Sequence, residues 1–229
     1  MTDAAIPPPL PGLRERKKQR TRQLIAETAR RLFAERGFDR VTVAEIARAA
    51  DVSEQTVFNY FPTKEDLVYW QLGDFEERLL AALRDRPEGE PALTAFRRFL
   101  LSRQGLLGRV DEAARRQLTA ITRVIAESPA LLAREQQILA GYTASLAALL
   151  AEETGRAADD VEAWAAANAM MGAHRTLIEY TRRRILAGAD HRRLAKDVHA
   201  RGERAFALLE GGLGTYAVRS AGRPQRAER

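Results

Sequence analysis

Residues 41–67 read VTVAEIARAADVSEQTVFNYFPTKEDL, and the local structural signals are denser here than elsewhere in the chain. The stretch predicts two short helices joined by a tight turn, followed by the start of a third helix. Thr42 and Glu45 have capping-box spacing, in which each side chain bonds a backbone N–H at the helix start. Asp51 is predicted to take left-handed geometry at the turn, because a short polar side chain tolerates it. Ser53 is predicted to cap the second helix.

The side chains of this second helix separate by face. Val57 and Phe61 lie one turn apart and are predicted to point inward. The side chains expected to point mostly outward are Glu54, Gln55, Thr56, Asn59 and Tyr60. Pro62 ends the helix because it disfavours helical geometry in the preceding residue, and Thr63 is predicted to cap the next helix. Such a helix has the size that enters a DNA major groove, although helical hairpins with a solvated face are common in all-α proteins.

Between about residues 19 and 70 the chain resembles the tetracycline-repressor (TetR) family. The resemblance is carried by ERGF at the end of the first helix, then V-T-V-x-x-I-A, A-x-V-S and T-V-F-N-Y-F-P-T-K-E-D-L. Two positions depart from the family pattern. Asp51 replaces the usual glycine of the turn, and Phe58 replaces a tyrosine that often contacts phosphate, so no phosphate contact is assigned to Phe58.

The resemblance implies an all-α protein, with an N-terminal three-helix helix-turn-helix DNA-binding domain and a C-terminal helical domain for effector binding and dimerisation. The residues that match positions where the family reads bases are Glu54, Gln55, Thr56 and Asn59. Those expected to contact the DNA backbone within the same stretch are Thr42, Ser53, Tyr60 and Lys64.

A basic run at residues 14–22, RERKKQRTR, contains six basic residues and one acid. Basic side chains at a helix start oppose the helix dipole. The run is therefore either a solvated helix start or a phosphate-binding arm, and its local cost favours the arm. Its expected contact residues are Arg16, Lys17, Lys18 and Arg20. The net charge of +6 suits nucleic acid but is weak evidence by itself.

Composition argues against several other protein classes. The chain has no cysteine, which excludes disulfides and fits a cytoplasmic, nucleoid-associated protein. No segment approaches the roughly 20 apolar residues of a membrane span. The histidines His174, His191 and His199 have no metal-binding or catalytic spacing, and no phosphate-loop or dinucleotide glycine pattern is present. We therefore expect no metal, no cofactor and no enzymatic activity.

Helical patterns and breakers predict the domain organisation. A disordered arm (1–13) precedes the DNA-binding domain with its connecting helix (14–83), a helical effector and dimerisation domain (84–216) and a disordered basic tail (217–229). The first helix is expected at residues 18–36, and the connecting helix is expected to run unbroken over 63–83. The later helices are expected at about 92–103, 112–127, 129–154, 160–186 and 192–210.

The last two helices carry small and apolar residues at near-heptad spacing. They are Ala163, Trp164, Ala165, Ala166, Ala167, Ala169, Met171, Ala173 and Ile178, then Leu194, Val198, Ala205 and Leu208. This pattern fits either the core of one chain or a two-fold interface between two chains. The family resemblance favours the interface, and hence a homodimer.

The C-terminal helices also contain candidates for an effector pocket, which in such a family opens within the apolar interior. The candidate lining residues are Phe96, Phe99, Gln117, Ile121, Tyr142, Trp164, Asn168, Met171 and His174. The expected effector is a small apolar or amphipathic molecule.

The sequence thus favours a ligand-responsive dimeric transcription regulator, a repressor rather than an activator, on a near-palindromic operator of double-stranded DNA. Two alternatives stay open. One is a sequence-tolerant architectural DNA-binding protein without an effector, and the other is a helical adaptor that binds protein.

Overall fold

The computed structural model describes residues 13–72, 74–104, 111–213 and 218. Its regular structure is helical, which confirms the all-α prediction. The helices are α1 (Leu13–Arg36), α2 (Val43–Ala49), α3 (Glu54–Tyr60), α4 (Asp66–Tyr69), α5 (Phe75–Arg84), α6 (Ala92–Gln104), α7 (Glu112–Glu127), α8 (Pro129–Glu153), α9 (Val161–Leu186) and α10 (His191–Leu213). The predicted disorder of residues 1–12 and of the tail, apart from Val218, concerns positions outside the described residues.

The chain divides into two compact units, residues 1–70 and residues 71–229, here called the first and second units. The sequence grouped the helix that precedes residue 84 with the DNA-binding domain. In the structure this helix is α5, and it packs against α6 and α8 within the second unit.

The predicted unbroken helix over residues 63–83 is wrong. The structure has the short helix α4, a 3-10 turn at Trp70–Leu72, and then α5 beginning at Phe75. Residues 71–74 read QLGD, and glycine and aspartate are both weak helix formers. The Tyr142 hydroxyl donates to the Leu72 carbonyl over 2.9 Å, so a side chain takes the place of a helical backbone donor.

The first unit is built on α1, which begins at Leu13, five residues earlier than predicted, so the basic run is helical. The helix ends at Gly37, which has a φ of 83° and donates its N–H to the Phe33 carbonyl over 2.8 Å. Phe38 folds back onto Phe33, with 5.0 Å between the ring centroids. The core of the unit consists of buried side chains from all four helices and their turns, including Ile25, Phe33, Val41, Ile46, Val57, Phe61 and Leu67.

The second unit packs α8, α9 and α10 with α5, α6 and α7 around one apolar core. The bounds predicted for α6 to α9 agree with the structure within one or two residues. Ser128 caps α8, and Pro129 lies in its first turn. The last helix was expected to end at residue 210 but continues to Leu213. The fully buried Arg86 ties the α5–α6 connection to the end of α8 through a bidentate contact with Glu153.

Candidate nucleic-acid interface

The start of α2 is fixed by the predicted capping box. The Thr42 hydroxyl accepts from the Glu45 N–H over 3.2 Å, and the Thr42 N–H donates to the Glu45 carboxylate over 2.8 Å. Arg36 donates to the same carboxylate over 2.9 Å. The bonds from Thr42, foremost its backbone N–H, lower the pKa of Glu45 from an ordinary value of 4.5 to about 2. The entry to the hairpin is therefore held by an ionised carboxylate.

The turn and the start of α3 also form as predicted. Asp51 has a φ of 54°, the left-handed conformation expected at this position. The Ser53 hydroxyl accepts from the Thr56 N–H over 3.1 Å and so caps α3. Val57 and Phe61 are each only 1% exposed, which anchors the inner face of α3 in the core of the first unit.

The outer face of α3 consists of the exposed side chains Glu54, Gln55, Phe58 and Asn59. Gln55 donates from Nε2 to Asn59 Oδ1 over 3.1 Å, so two of the predicted base-contacting residues are joined across one helical turn. Thr56 and Tyr60 are instead half-buried at the edges of this face. A face of this kind offers amide, carboxylate and aromatic groups to whatever lies against it.

Phe58 is the member of the outer face of α3 that sequence reasoning left without a role. Its side chain is 44% exposed, although the neighbouring Val57 is buried. The signal was available in the sequence, because position 58 lies one turn beyond Glu54 and Gln55 and therefore shares their side of the helix.

Lys64 has a different environment from the one expected for a phosphate contact. Its ammonium donates to the Phe38 carbonyl over 2.7 Å and lies 4.2 Å from the centroid of the Phe38 ring. Desolvation by burial lowers the pKa of Lys64, against the opposing charge of Asp39. The side chain thus ties the end of α1 to the start of α4, and this internal bond uses one of its three donors.

The basic run places a cluster of exposed positive charge at the start of α1. Arg16, Lys17, Lys18 and Arg20 are all exposed on the first two turns of α1. Arg22, at the end of the run, lies 5.6 Å from the centroid of the Phe61 ring and so borders the C-terminal end of α3. Thr42 and Ser53, the other predicted backbone contacts, are exposed at the starts of α2 and α3.

In the second unit, three predicted pocket residues meet around Phe75. The Phe75 ring stacks on His174 at 5.4 Å and on Tyr142 at 5.3 Å, and it meets Phe99 edge-on at 5.6 Å. Burial raises the pKa of Tyr142 to about 12, and the charge of Glu76 contributes to the shift as the smaller cause. We call Phe75, Phe99, Tyr142 and His174 the Phe75 cluster. Sequence reasoning missed Phe75 itself, because it was assigned to the connecting helix.

The other predicted pocket residues do not join this cluster. Trp164, Asn168 and Gln117 are exposed, and the first two lie on the outer face of α9, because its inner face is formed by residues such as Ala163 and Ala167. Phe96 is buried against Phe206, Met171 is buried in the core and Ile121 is half-buried. None of the nine lines the surface cavity of about 430 Å³ between α7 and the start of α10, which is bordered by Arg115, Arg116, Arg123, Asp190 and His191.

The residues that favoured an interface on the last two helices are partly buried in the core and partly exposed. Ala163, Ala166, Ala167 and Met171 belong to the chain's own core. The outward residues of α9 include Val161, Trp164 and Ala165, and α10 exposes Leu208 with 85% of its surface accessible.

Two further features concern only the part of the chain that the structure describes. None of its helices combines the length and the apolar composition needed to cross a membrane. It contains no group of three or more histidine, aspartate or glutamate side chains that could hold a metal ion.

Comparison with known proteins agrees with this organisation. Residues 25–69 match the family model described as bacterial regulatory proteins of the tetR family, and residues 90–214 match the model described as the MftR C-terminal domain. The HTH-type transcriptional regulator TcmR of Streptomyces glaucescens is 36% identical over 155 residues, which cover 66% of this chain and 67% of TcmR.

A second relative and a solved structure extend the likeness. MftR of Mycobacterium tuberculosis is 31% identical over 160 residues, which cover 69% of this chain and 77% of MftR. The transcriptional regulator FadR of Bacillus subtilis, solved in complex with stearoyl-CoA, shares the fold with a TM-score of 0.52 and 21% identity, over 83% of this chain and 98% of FadR.

Proposed function

This chain belongs to the TetR family of bacterial regulatory proteins and is a DNA-binding transcription regulator, and we propose that it acts as a dimeric repressor released by a small-molecule effector. Its site of action is the cytoplasm, at a near-palindromic operator. The observation that carries this proposal is the outer face of α3, which exposes carboxylate and amide groups on a helix whose other side is anchored by Val57 and Phe61.

Each α3 enters a major groove, where Gln55 and Asn59 donate to and accept from base edges. Glu54 accepts from a cytosine amino group, and Thr56 contacts a base from the edge of the face. The backbone is held by the exposed basic residues of α1, with Thr42, Ser53 and Tyr60 at the helix starts and edges. Lys64 adds a phosphate contact only through the N–H donors that its bond to the Phe38 carbonyl does not use.

The first experiment measures binding to the DNA just upstream of the protein's own gene by gel shift and footprinting. A repressor of this kind protects one or a few sharp palindromic sites, with half-sites about one helical turn apart. Broad protection without sharp sites would favour the architectural alternative. Failure to shift any duplex at low ionic strength would contradict DNA binding itself.

The two contact types are separable by mutation. Arg20→Ala weakens binding to all sequences and reduces the slope of log affinity against log salt concentration by about one. Asn59→Ala changes the preference at one base pair and costs about 1–3 kcal/mol there. Equal losses from both variants on random DNA would indicate a binder without sequence preference.

We assign dimerisation to α9 and α10. Apart from Val218, the large apolar side chains that are exposed in the described part of the second unit all lie on these helices: Val161, Trp164, Leu186 and Leu208. Leu208→Arg is expected to convert the dimer into a monomer in sedimentation at micromolar concentration. Leu24→Arg, at the 49% exposed position in the first unit, is the matched control and leaves the dimer intact.

The effector acts on the Phe75 cluster. A small apolar or amphipathic molecule that enters among these rings displaces the Tyr142 hydroxyl from the Leu72 carbonyl and loosens the turn at Trp70–Leu72. Such a ligand shifts the equilibrium between the intact and the loosened turn only if it binds the loosened state more tightly than the intact one. The test is a thermal-shift screen of aliphatic and aromatic acids, amines and alcohols. Molecules that stabilise the wild type should not stabilise His174→Ala, and they should release the wild-type protein from its operator.

A further inference from the structure

Phe58 lies at the centre of the outer face of α3. Residues 54, 55, 58 and 59 occupy one side of a helix with 3.6 residues per turn, and all four are exposed. The other three carry a carboxylate or an amide, whereas Phe58 presents an apolar ring that is 44% exposed. An apolar group therefore occupies the middle of the surface that we propose to face the bases.

The chemistry of the ring limits what it can recognise. A phenyl group has no N–H or O–H to donate to a phosphate and no lone pair to accept from a base amino group. The apolar group that a base pair presents in the major groove is the C5 methyl of thymine. Contact between this methyl and the ring removes apolar surface of both partners from water.

The bond between two polar neighbours of Phe58 leaves an amide donor that suits the same base pair. The bond from Gln55 Nε2 uses the Oδ1 of Asn59 and leaves the two Asn59 Nδ2 hydrogens to donate to other acceptors. A T·A pair offers such acceptors in the major groove, at O4 of thymine and N7 of adenine. An amide donor beside an apolar ring thus matches the thymine edge, where O4 and the methyl are adjacent.

We propose that Phe58 is a specificity-determining residue that contacts the C5 methyl of a thymine in each half-site. This inference rests on the proposed insertion of α3 into the major groove. Burying one methyl group contributes about a fourfold gain in affinity per half-site.

The test uses the full-length protein and the tightest duplex that it selects from random-sequence DNA, synthesised once with thymine and once with deoxyuridine. Uracil keeps O4 and the pairing of thymine but lacks the methyl. Wild type should bind the uracil duplex about fourfold more weakly per half-site in fluorescence anisotropy. Replacing thymines one at a time should locate the loss at a single symmetric position.

Variants assign the methyl contact to Phe58. Phe58→Ala should bind both duplexes equally, and Phe58→Leu, which keeps an apolar side chain, should retain part of the preference for thymine. Leu24→Ala removes the other large exposed apolar side chain among the described residues of the first unit and should leave the preference unchanged. Unaltered helical circular dichroism shows that each variant is folded.

The outcomes separate this inference from the function on which it rests. Sequence-specific binding of wild type with equal affinity for both duplexes would overturn the thymine contact and leave the regulator intact. A preference for thymine that persists in Phe58→Ala would assign the methyl contact to another residue and also overturn it. Failure to select any duplex would contradict DNA binding itself.

Discussion

In the first unit, side-chain contacts before the helix starts join residues only three positions apart, whereas the second unit has such caps at Asp111, Ser128 and Asp160 and also polar contacts that join residues tens of positions apart. They are the caps Thr42–Glu45 and Ser53–Thr56 and the contact Thr63–Asp66. Thr63 was expected to cap α4, but the N-cap position is Glu65 and has no side-chain cap. In the second unit, the contacts between Arg86 and Glu153 and between Tyr142 and Leu72 span 67 and 70 residues. The surface proposed to read DNA is thus organised by local contacts, and the proposed effector region by distant ones.

The largest effect is expected from breaking a distant contact in the second unit. Arg86 is buried and donates to the Glu153 carboxylate and to the carbonyls of Leu83 and Glu90. Arg86→Ala leaves these acceptors without their partner and should lower the free energy of unfolding by about 3–5 kcal/mol, measured by urea denaturation.

The matched control for Arg86→Ala is an exposed ion pair of the same unit. Arg116 and Glu112 are 70% and 69% exposed, and they lie one helical turn apart on α7. Arg116→Ala should change the free energy of unfolding by less than about 0.5 kcal/mol. Equal losses for the two arginines would show that the distant contact contributes no more than a surface pair.

The same contrast explains how much the sequence could predict. The caps of α2 and α3, the left-handed Asp51 and the buried Val57 and Phe61 follow from neighbours in the chain, so these features of the hairpin were predicted. Thr56 and Tyr60 were expected to point outward but are half-buried. The helix bounds from α6 to α9 follow from their caps and breakers in the same way. The DNA contacts stay predictions.

What the sequence did not predict depends on contacts between distant residues. The break after α4 involves Tyr142, which lies 70 residues beyond Leu72. The assignment of Trp164 and Asn168 to a pocket required knowing which side of α9 meets α8, and the alanine-rich sequence gave little contrast between the two sides. Phe75 was missed as the centre of the aromatic cluster because its partners come from three other helices.

The next effect tests the close approach of helices in the second unit. A methyl group on Gly202 of α10 would lie 2.4 Å from Cδ2 of Leu101 and 3.4 Å from Cδ1 of Leu177. Gly202→Ala should therefore lower the free energy of unfolding by about 1–3 kcal/mol. Gly141→Ala, on α8 with nothing within 4 Å, should instead raise it by about 0.4–1 kcal/mol. If the free energy of unfolding rose in both variants, Leu101 would have moved aside without an energetic cost.

A smaller effect separates stability from DNA binding in the first unit. Lys64→Met keeps a long side chain over the Phe38 ring but removes the bond to its carbonyl. The free energy of unfolding should fall by about 1 kcal/mol. Lys18→Met, at an exposed position of α1, should leave stability unchanged and reduce the salt dependence of DNA binding. If Lys64→Met instead reduced the salt dependence of DNA binding and Lys18→Met reduced stability, Lys64 would be the phosphate contact.

The smallest effect concerns the capping box and depends on pH. The folded-state pKa of Glu45 is about 2, below its ordinary value of 4.5, so between these values the folded state binds fewer protons than the unfolded state. The stabilisation is complete above pH 4.5 and is lost as the pH falls towards 2. In thermal unfolding across this range, Glu45→Gln should therefore have a shallower pH dependence than wild type. Thr42→Ser, which keeps both capping bonds, should follow wild type, and Thr42→Ala should lie between them. If all four proteins lost stability in parallel, the carboxylate would contribute nothing to the acid sensitivity of the hairpin, and its local bonds would hold α2 equally well when Glu45 is protonated.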